Sequence, residues 1–245
     1  MKWKKGIVIV LDVIIGIYLV LAVTAFNKPD EVASVCNDVR ISIEKSDMEG
    51  FLTENDVRQM LMQHGIFPIG QDMSKVSARQ IEEKLQASSL IEQAECYKTQ
   101  AGHVCISIKQ RIPVVRVMPN SGEDYYVDTH GEAMASPNYT CNVIIATGCV
   151  NKAYAQKRLA PLANTIMNDP FWKNQVLQLN VLNDGSVEMI PRVGEHVVYL
   201  GQPRGVDRKL ERLRKFYRYG LSQAGWNKYS RISVEFDNQI ICKRK

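Results

Sequence analysis

The chain has 245 residues, of which 45% are hydrophobic and 23% are charged, and its formal net charge is +5. This composition is that of a folded protein with one large core or two smaller ones, and it excludes a low-complexity chain. Nucleic-acid-binding proteins usually concentrate positive charge on one face of a folded domain. Here much of the excess lies at the two termini, in Lys2, Lys4, Lys5, Lys243, Arg244 and Lys245. We therefore predict no nucleic-acid partner.

The N-terminus carries the pattern of a membrane anchor. Residues 6–26 read GIVIVLDVIIGIYLVLAVTAF, and Asp12 is their one charge. A helix of about 20 apolar residues, rising ~1.5 Å per residue, crosses a hydrocarbon core of ~30 Å. The lysines before it predict that residues 1–5 form a cytoplasmic stub and that the rest of the chain lies across the membrane.

A cleaved signal peptide is the alternative for this segment, with Val23, Thr24 and Ala25 as the small-residue cleavage site. The apolar run exceeds the ~7–15 residues of an ordinary signal sequence, which favours an uncleaved anchor. Asp12 is then either a charge tolerated near the membrane surface or a contact with the transmembrane helix of a partner.

Residues 36–118 are predicted to form a compact α+β unit in the order strand, helix, helix, strand, strand. Apolar and polar residues alternate at residues 39–44, which predicts the first strand. Thr53 with Asp56 predicts the N-terminus of the first helix, and Ser77 that of the second. The segments IEQAECYKT and HVCISIKQRIPVVRV are the two remaining strands.

The six cysteines become relevant because an exported domain can form disulfides. Cys96 and Cys105 flank a predicted hairpin with Gln100 and Ala101 at its tip, where they would lie opposite each other. They are a candidate disulfide, and two buried free thiols are the alternative.

Residues 123–245 are predicted to form a second, strand-rich unit with an antiparallel sheet. Asp184 and Gly185 predict a tight hairpin. Residues 208–221 form a basic amphipathic helix, whose charged face is either simply solvated or a surface for an acidic partner. A last long strand, RISVEFDNQIICKR, follows, and its outer edge is expected to be free.

No constellation of catalytic or metal-binding residues is apparent. The four histidines are scattered, and neither a nucleophile elbow nor a phosphate-binding loop is present. Asp128 and Glu132 flank a hairpin turn, where two carboxylates are usually solvated. We predict no enzymatic activity, no metal, no cofactor and no small-molecule substrate.

Several motifs, in this order, resemble those of the bacterial cell-division family FtsQ/DivIB. GIFPIGQDM is similar to the loop between the helices of its POTRA domain, and YYVDTHGEAM to the start of its β-domain. KLERLRKFY followed by ISVEFDNQIICKR resembles the closing helix and strand. Ser233 and Glu235 depart from the family pattern in that last element.

The resemblance implies a non-enzymatic scaffold in the cell inner membrane, with a single pass at residues 6–26 and periplasmic POTRA and β-domains. It also implies binding of the single-span coiled-coil division proteins FtsB and FtsL, and recruitment or regulation of septal peptidoglycan synthesis. The alternative is a POTRA-containing envelope assembly or chaperone-like binding protein unrelated to division.

In the family, a partner segment adds to the last strand of the β-domain. The corresponding partner-binding residues here are Arg214, Tyr217, Arg231, Val234, Phe236, Asn238, Gln239, Ile240 and Ile241. Proline at Asn238 or Gln239 is expected to weaken partner binding without unfolding the domain, because proline removes a backbone donor at an edge.

Overall fold

A computed structural model describes residues 13–22, 35–44, 52–136 and 141–245. Residues 13–22 are helical and largely exposed. No helix within the described ranges is both long enough and apolar enough to span a bilayer. The stub at residues 1–5, Asp12 and much of the predicted span at residues 6–26 lie outside the described residues.

The first domain contains two helices and a three-stranded sheet of order β1-β3-β2. Strand β1 is parallel to β3, and β2 is antiparallel to β3. The elements in chain order are β1 Asp38–Ile43, α1 Glu54–Gln63, α2 Ala78–Gln86, β2 Ile91–Lys98 and β3 His103–Gln110. The predicted order of elements is confirmed.

The helix caps are those that the sequence predicts. Thr53 Oγ1 accepts from Asp56 N at 3.3 Å, and Thr53 N donates to Asp56 Oδ2 at 2.8 Å, so both halves of a capping box form. Ser77 Oγ accepts from Gln80 N at 3.2 Å. The helices are thereby held in place to bury an apolar core against the sheet that includes Val57, Leu61, Ile81, Leu85, Ile106 and Ile108.

The second domain contains a nine-stranded sheet of order β12-β11-β10-β9-β8-β7-β4-β5-β6. The sheet is mixed rather than antiparallel throughout, because β4–β7, β7–β8 and β10–β11 are parallel pairs. Its strands are β4 Pro113–Pro119, β5 Tyr125–Asp128, β6 Ala133–Ala135, β7 Ile144–Gly148, β8 Val176–Val181, β9 Val187–Pro191, β10 Val197–Gly201, β11 Tyr229–Ser233 and β12 Ile241–Arg244.

Two of the parallel pairs are joined by helical crossovers, as parallel strands require. The β7–β8 crossover contains α3, which has a π-helical stretch at Ala155–Leu159 between Lys152–Tyr154 and Ala160–Asn168, and then α4, Pro170–Gln175. The β10–β11 crossover is α5, which begins as Val206–Lys215, continues as the π-helical Phe216–Leu221 and ends as Ser222–Ala224. The helices and the sheet share one core that includes Leu162, Ile166, Trp172, Leu179, Val198, Leu213 and Ile232.

The boundary between the domains differs from the predicted seam at residues 118–123. Strand β4 pairs with β5 and β7 and therefore belongs to the second sheet. Arg111 N donates to Leu90 O at 3.0 Å, whereas Thr129 N donates to Ile112 O at 3.2 Å. The chain thus passes from one sheet to the next within two residues, and the apolar pattern continues without a loop to mark the change.

The predicted long strand at residues 231–244 is wrong, because the chain reverses within it. β11 ends at Ser233 and pairs antiparallel with β12, which begins at Ile241. In the connection, Asn238 has a left-handed φ of 66°. Val234, Phe236 and Ile240 keep the spacing of one strand face, with Asn238 as the one departure, and this pattern conceals the turn. Proline at Asn238 would therefore disrupt the turn, since its ring fixes φ near −65°.

The opposed position predicted for Cys96 and Cys105 is also wrong. The register pairs Cys96 with Ile106 and Tyr97 with Cys105. Neighbouring residues of a strand point to opposite faces, so the two thiols lie on opposite sides of the sheet. Both are free, and burial raises the pKa of Cys96 to about 11. The prediction failed because Gly102, at φ 80°, joins the loop and shifts the register by one residue.

Candidate functional site

In the part of the chain that the structure describes, the two sheets have four outer strands, where another chain could add to the fold. An outer strand presents unpaired N–H and C=O groups that can pair with a further strand. β1 and β2 are the outer strands of the first sheet, and β6 and β12 those of the second.

The outer edge of β2 is occupied by side chains of α2. Cys96 N donates to Glu82 Oε1 at 2.7 Å, and Gln86 Nε2 donates to Ala94 O at 3.0 Å. Glu82 and Gln86 are four residues apart, so they lie on one face of the helix. They satisfy the backbone groups that a further strand would use.

Strands β1 and β6 are also bonded by side chains from neighbouring elements. Arg58 Nη2 on α1 donates to Val39 O of β1 at 3.1 Å. In β6, which has only three residues, Ala135 N donates to Ser89 Oγ of the first domain at 3.1 Å. Three of the four outer strands therefore carry a side-chain cap.

Among the described residues, no side chain from outside its own hairpin is bonded to the backbone of β12. Within that part of the chain, the bonded side chain is that of Ser230 on the adjacent β11, whose Oγ donates to Lys243 O and Arg244 O at 3.3 Å each. Ile241 is 51% exposed, and Lys243 and Arg244 are exposed as well. This strand is the open edge of the second domain.

The strand next to the open edge, β11, is anchored in the core of the domain. β11 lies between β10 and β12, and its Ile232 is fully buried. Val234 is also fully buried, and its N–H donates to Tyr199 O at 3.0 Å. Val234 is therefore a core residue rather than part of the surface predicted to meet a partner.

Helix α5 fixes the connection that leads to β12. Arg212 Nη1 donates to Asp237 Oδ1 at 3.0 Å, and Arg212 Nη2 donates to Val234 O at 2.7 Å. One turn earlier, the buried Lys209 Nζ donates to Leu200 O at 2.7 Å. Burial lowers the pKa of Lys209. The helix thus holds the hairpin in a defined position on the sheet.

Arg214 and Tyr217 do not line an approach to β12. Arg214 forms an ion pair with Asp169, at the N-terminus of α4. Tyr217 is 2% exposed, and its hydroxyl is 2.8 Å from His196 Nε2. Of the residues predicted to bind a partner, Tyr217 is therefore a core residue, and the Arg214 guanidinium is paired with Asp169 rather than directed at the open strand.

The remaining predicted residues are divided between the connection and the sheet. Arg231 lies on β11, pairs with Glu188 at 3.1 Å and stacks on the Tyr199 ring at 4.4 Å. The connection contains Phe236, which is 52% exposed, and also Asn238, Gln239 and Ile240. Only Ile241 lies on the open strand itself.

The prediction omitted Cys242, Lys243 and Arg244, which complete the open strand. A signal was present, because the β-branched Ile240 and Ile241 favour a strand and are followed by Cys242 and the basic residues KRK. Placing a turn at Asn238 would have assigned these residues to a strand of their own, since asparagine tolerates positive φ.

Asp128 is a structural residue rather than a solvated carboxylate. It is 1% exposed, and its Oδ2 pairs with Arg111 Nη1 at 2.9 Å. Its Oδ1 accepts from His130 N at 2.9 Å and Glu132 N at 2.7 Å. The side chain therefore ties the β5–β6 turn to the link between the domains. Within the described ranges, no group of three metal-ligating side chains occurs.

Comparison with protein families agrees with this division of the chain. The family described as "FtsQ/DivIB, C-terminal related" matches residues 112–243, and a POTRA-like domain matches residues 34–109. The matched ranges coincide with the two sheets and meet where β3 ends and β4 begins. No curated protein matches the chain. Because the first match covers more than half of the sequence, the chain belongs to the FtsQ/DivIB family, and a POTRA-like domain precedes its C-terminal domain.

Proposed function

We propose that this protein is a non-enzymatic scaffold of the division machinery, and that β12 receives an extended segment of a partner as a further strand. The observation that carries the proposal is the contrast between the outer strands. Within the described residues, β1, β2 and β6 receive side-chain bonds from outside their own sheets, whereas β12 receives them only from Ser230 of its own hairpin. A folded protein that leaves one strand open in this way offers a template for strand addition.

The edge has features that favour binding of a peptide strand. Backbone hydrogen bonds contribute roughly 0.5–1.5 kcal/mol each, so a strand that pairs along four residues needs further contacts. Ile241 and Phe236 are 51% and 52% exposed, and they supply apolar surface beside the ladder. Exposed apolar side chains at the centre of a contact commonly dominate its binding energy.

We further propose that residues 6–26 anchor the chain in the inner membrane, with both domains in the periplasm. The support is the apolar sequence and the lysines that precede it. Residues 13–22 are helical, and their apolar side chains are not buried in either domain. An anchor restricts the partner to proteins of the same membrane, and single-span coiled-coil proteins similar to FtsB and FtsL are the proposed partners.

Photo-crosslinking in cells tests the proposal. A photoreactive residue at Ile241 of the full chain is expected to capture a small single-span membrane protein of the division machinery. Tyr97 is the matched control, because it is 59% exposed and lies on β2, whose edge is capped. Equal capture at both positions, or none at Ile241, would contradict the proposed edge. Capture of an envelope assembly factor at Ile241 would instead support a role unrelated to division.

A further inference from the structure

The open edge is strongly basic. The β11–β12 hairpin and its flanking residues carry five cationic side chains, which are Lys228, Arg231, Lys243, Arg244 and Lys245. Two of these have carboxylate partners, since Arg231 pairs with Glu188 and Lys245 with Glu195. The other three have no ion pair within the described part of the chain, and two of them, Lys243 and Arg244, lie on β12 itself.

The stability of the hairpin does not explain these charges. The register places Lys243 directly opposite Arg231. Like charges in directly opposed positions destabilise a strand pair. Glu188 compensates the charge of Arg231 but lies on β9, and two strands, β10 and β11, separate β9 from β12. A neutral or acidic residue at position 243 would suit the hairpin better than lysine does.

The charges instead affect which chains can pair with β12. Without them, the exposed Ile241 and the neighbouring Cys242 would leave a short apolar strand that a second copy of the chain could pair with. Antiparallel pairing of two copies brings two lysines and two arginines into one short ladder, which like-charge repulsion opposes. Lysine on an edge strand is a common protection against such pairing.

We infer that the β12 edge selects a partner segment with adjacent carboxylates and rejects a second copy of this chain. The inference rests on the proposed strand addition. Lys243 and Arg244 project from opposite faces of the strand, because side chains alternate. The matching partner strand therefore carries two consecutive acidic residues opposite them, one for each face. Such complementary charges also raise the rate of encounter and exclude basic competitors.

Charge variants of the full chain, each with the photoreactive residue at Ile241, test the selection. The Lys243→Gln/Arg244→Gln variant is expected to lower capture of the partner about threefold, and Lys243→Glu/Arg244→Glu about tenfold or more. The control is Lys173→Glu/Arg192→Glu, which makes the same change in net charge at two exposed cations of the second domain that lie away from the hairpin. Thermal unfolding followed by circular dichroism checks that each variant folds.

The outcomes separate this inference from the proposed function. Unchanged capture in the Lys243→Glu/Arg244→Glu variant, or an equal loss in the control, would overturn the charge selection and leave strand addition standing. Absence of any adduct in the unsubstituted chain would overturn strand addition itself. The same probe reports self-pairing, since the Lys243→Gln/Arg244→Gln variant is expected to form Ile241-linked homodimers that the unsubstituted chain does not form. Absence of these homodimers would overturn rejection of a second copy.

Discussion

In the first domain, both outer strands of the sheet receive hydrogen bonds from helix side chains, whereas the second domain ends at β12, which receives none from beyond its own hairpin among the described residues. Both sheets face the same physical problem, because an uncovered strand invites pairing with any extended chain. In the POTRA-like domain, the side chains of Arg58, Glu82 and Gln86 occupy backbone groups of the outer strands. In the second domain, the backbone of β12 is left open, and the strand carries the positive charges of Lys243 and Arg244. The contrast supports the proposal that β12, rather than β1 or β2, receives a partner.

Removal of the bonds that Arg212 makes to the β11–β12 connection is expected to have the largest effect on stability and on capture of the partner. The Arg212→Ala substitution deletes the bonds to Val234 O and Asp237. Hydrogen bonds that involve a charged group contribute about 1.5–3 kcal/mol, so unfolding of the second domain should become easier by about 2 kcal/mol. Capture of the partner at Ile241 should fall with it. Urea unfolding measures the first effect, and Lys215→Ala, at an exposed position of the same helix, is the control.

Removal of the side chains that cap β2 tests whether the outer strand of the first domain can also be made to pair with another chain. In the Glu82→Ala/Gln86→Ala variant, Cys96 N and Ala94 O lose their partners. The first domain should lose about 1–2 kcal/mol of stability. Its edge should also begin to pair, so that a photoreactive residue at Tyr97 captures a second copy. Glu83→Ala, which removes only an exposed pair with Arg79, should do neither. A stable variant without capture would show that Glu82 and Gln86 do not protect the edge.

Acid is expected to weaken the domain with the open edge. Burial lowers the pKa of His196, whose Nε2 contacts the hydroxyl of the buried Tyr217 on α5. The unfolded chain then binds a proton more readily than the folded one, so this contribution is fully present above the ordinary histidine pKa of about 6.5 and is lost as the pH falls below it. Urea unfolding at pH 7.5 and 5.5 measures the effect. In His196→Gln the loss between these pH values should be smaller, and an equal loss would exclude His196 as its source.

The smallest effect on stability is expected for Phe236→Ala. The side chain is 52% exposed in the connection before β12. Surface substitutions usually change stability by no more than about 0.5 kcal/mol, whereas the apolar contact with a partner should be lost. Capture at Ile241 should fall severalfold while the melting temperature stays unchanged. A lower melting temperature with unaltered capture would place Phe236 in the fold rather than in the contact.

Local patterns predicted much of the fold, because they depend on neighbouring residues. The caps at Thr53 and Ser77 and the hairpin at Asp184 and Gly185 form where the sequence predicts them. A cap requires only a short polar side chain directly before a helical pattern, and the hairpin requires only a glycine, which tolerates positive φ, between two strand patterns. The order of helices and strands follows from the same signals.

The details of the edges could not be predicted, because they depend on which strands become neighbours. Strand β4 continues the pattern of β3 although it joins the other sheet. The apolar residues at 234, 236 and 240 have the spacing of one strand face and concealed a reversal, so the open strand was assigned to residues that lie in its connection. The caps from Glu82 and Gln86 leave no trace in the sequence, since a polar residue on the exposed side of a helix is ordinary. The site is visible only when all four outer strands are compared.

Amide hydrogen exchange at single-residue resolution tests the central claim most directly. In the full chain alone, Cys96 N on β2 should be protected by its bond to Glu82, whereas the outward amides of Ile241–Arg244 should exchange rapidly. In the complex with the protein captured at Ile241, these β12 amides should become protected while those of β2 stay as they were. Protection of all β12 amides in the isolated chain, or no change on complex formation, would contradict an open edge that receives a partner strand.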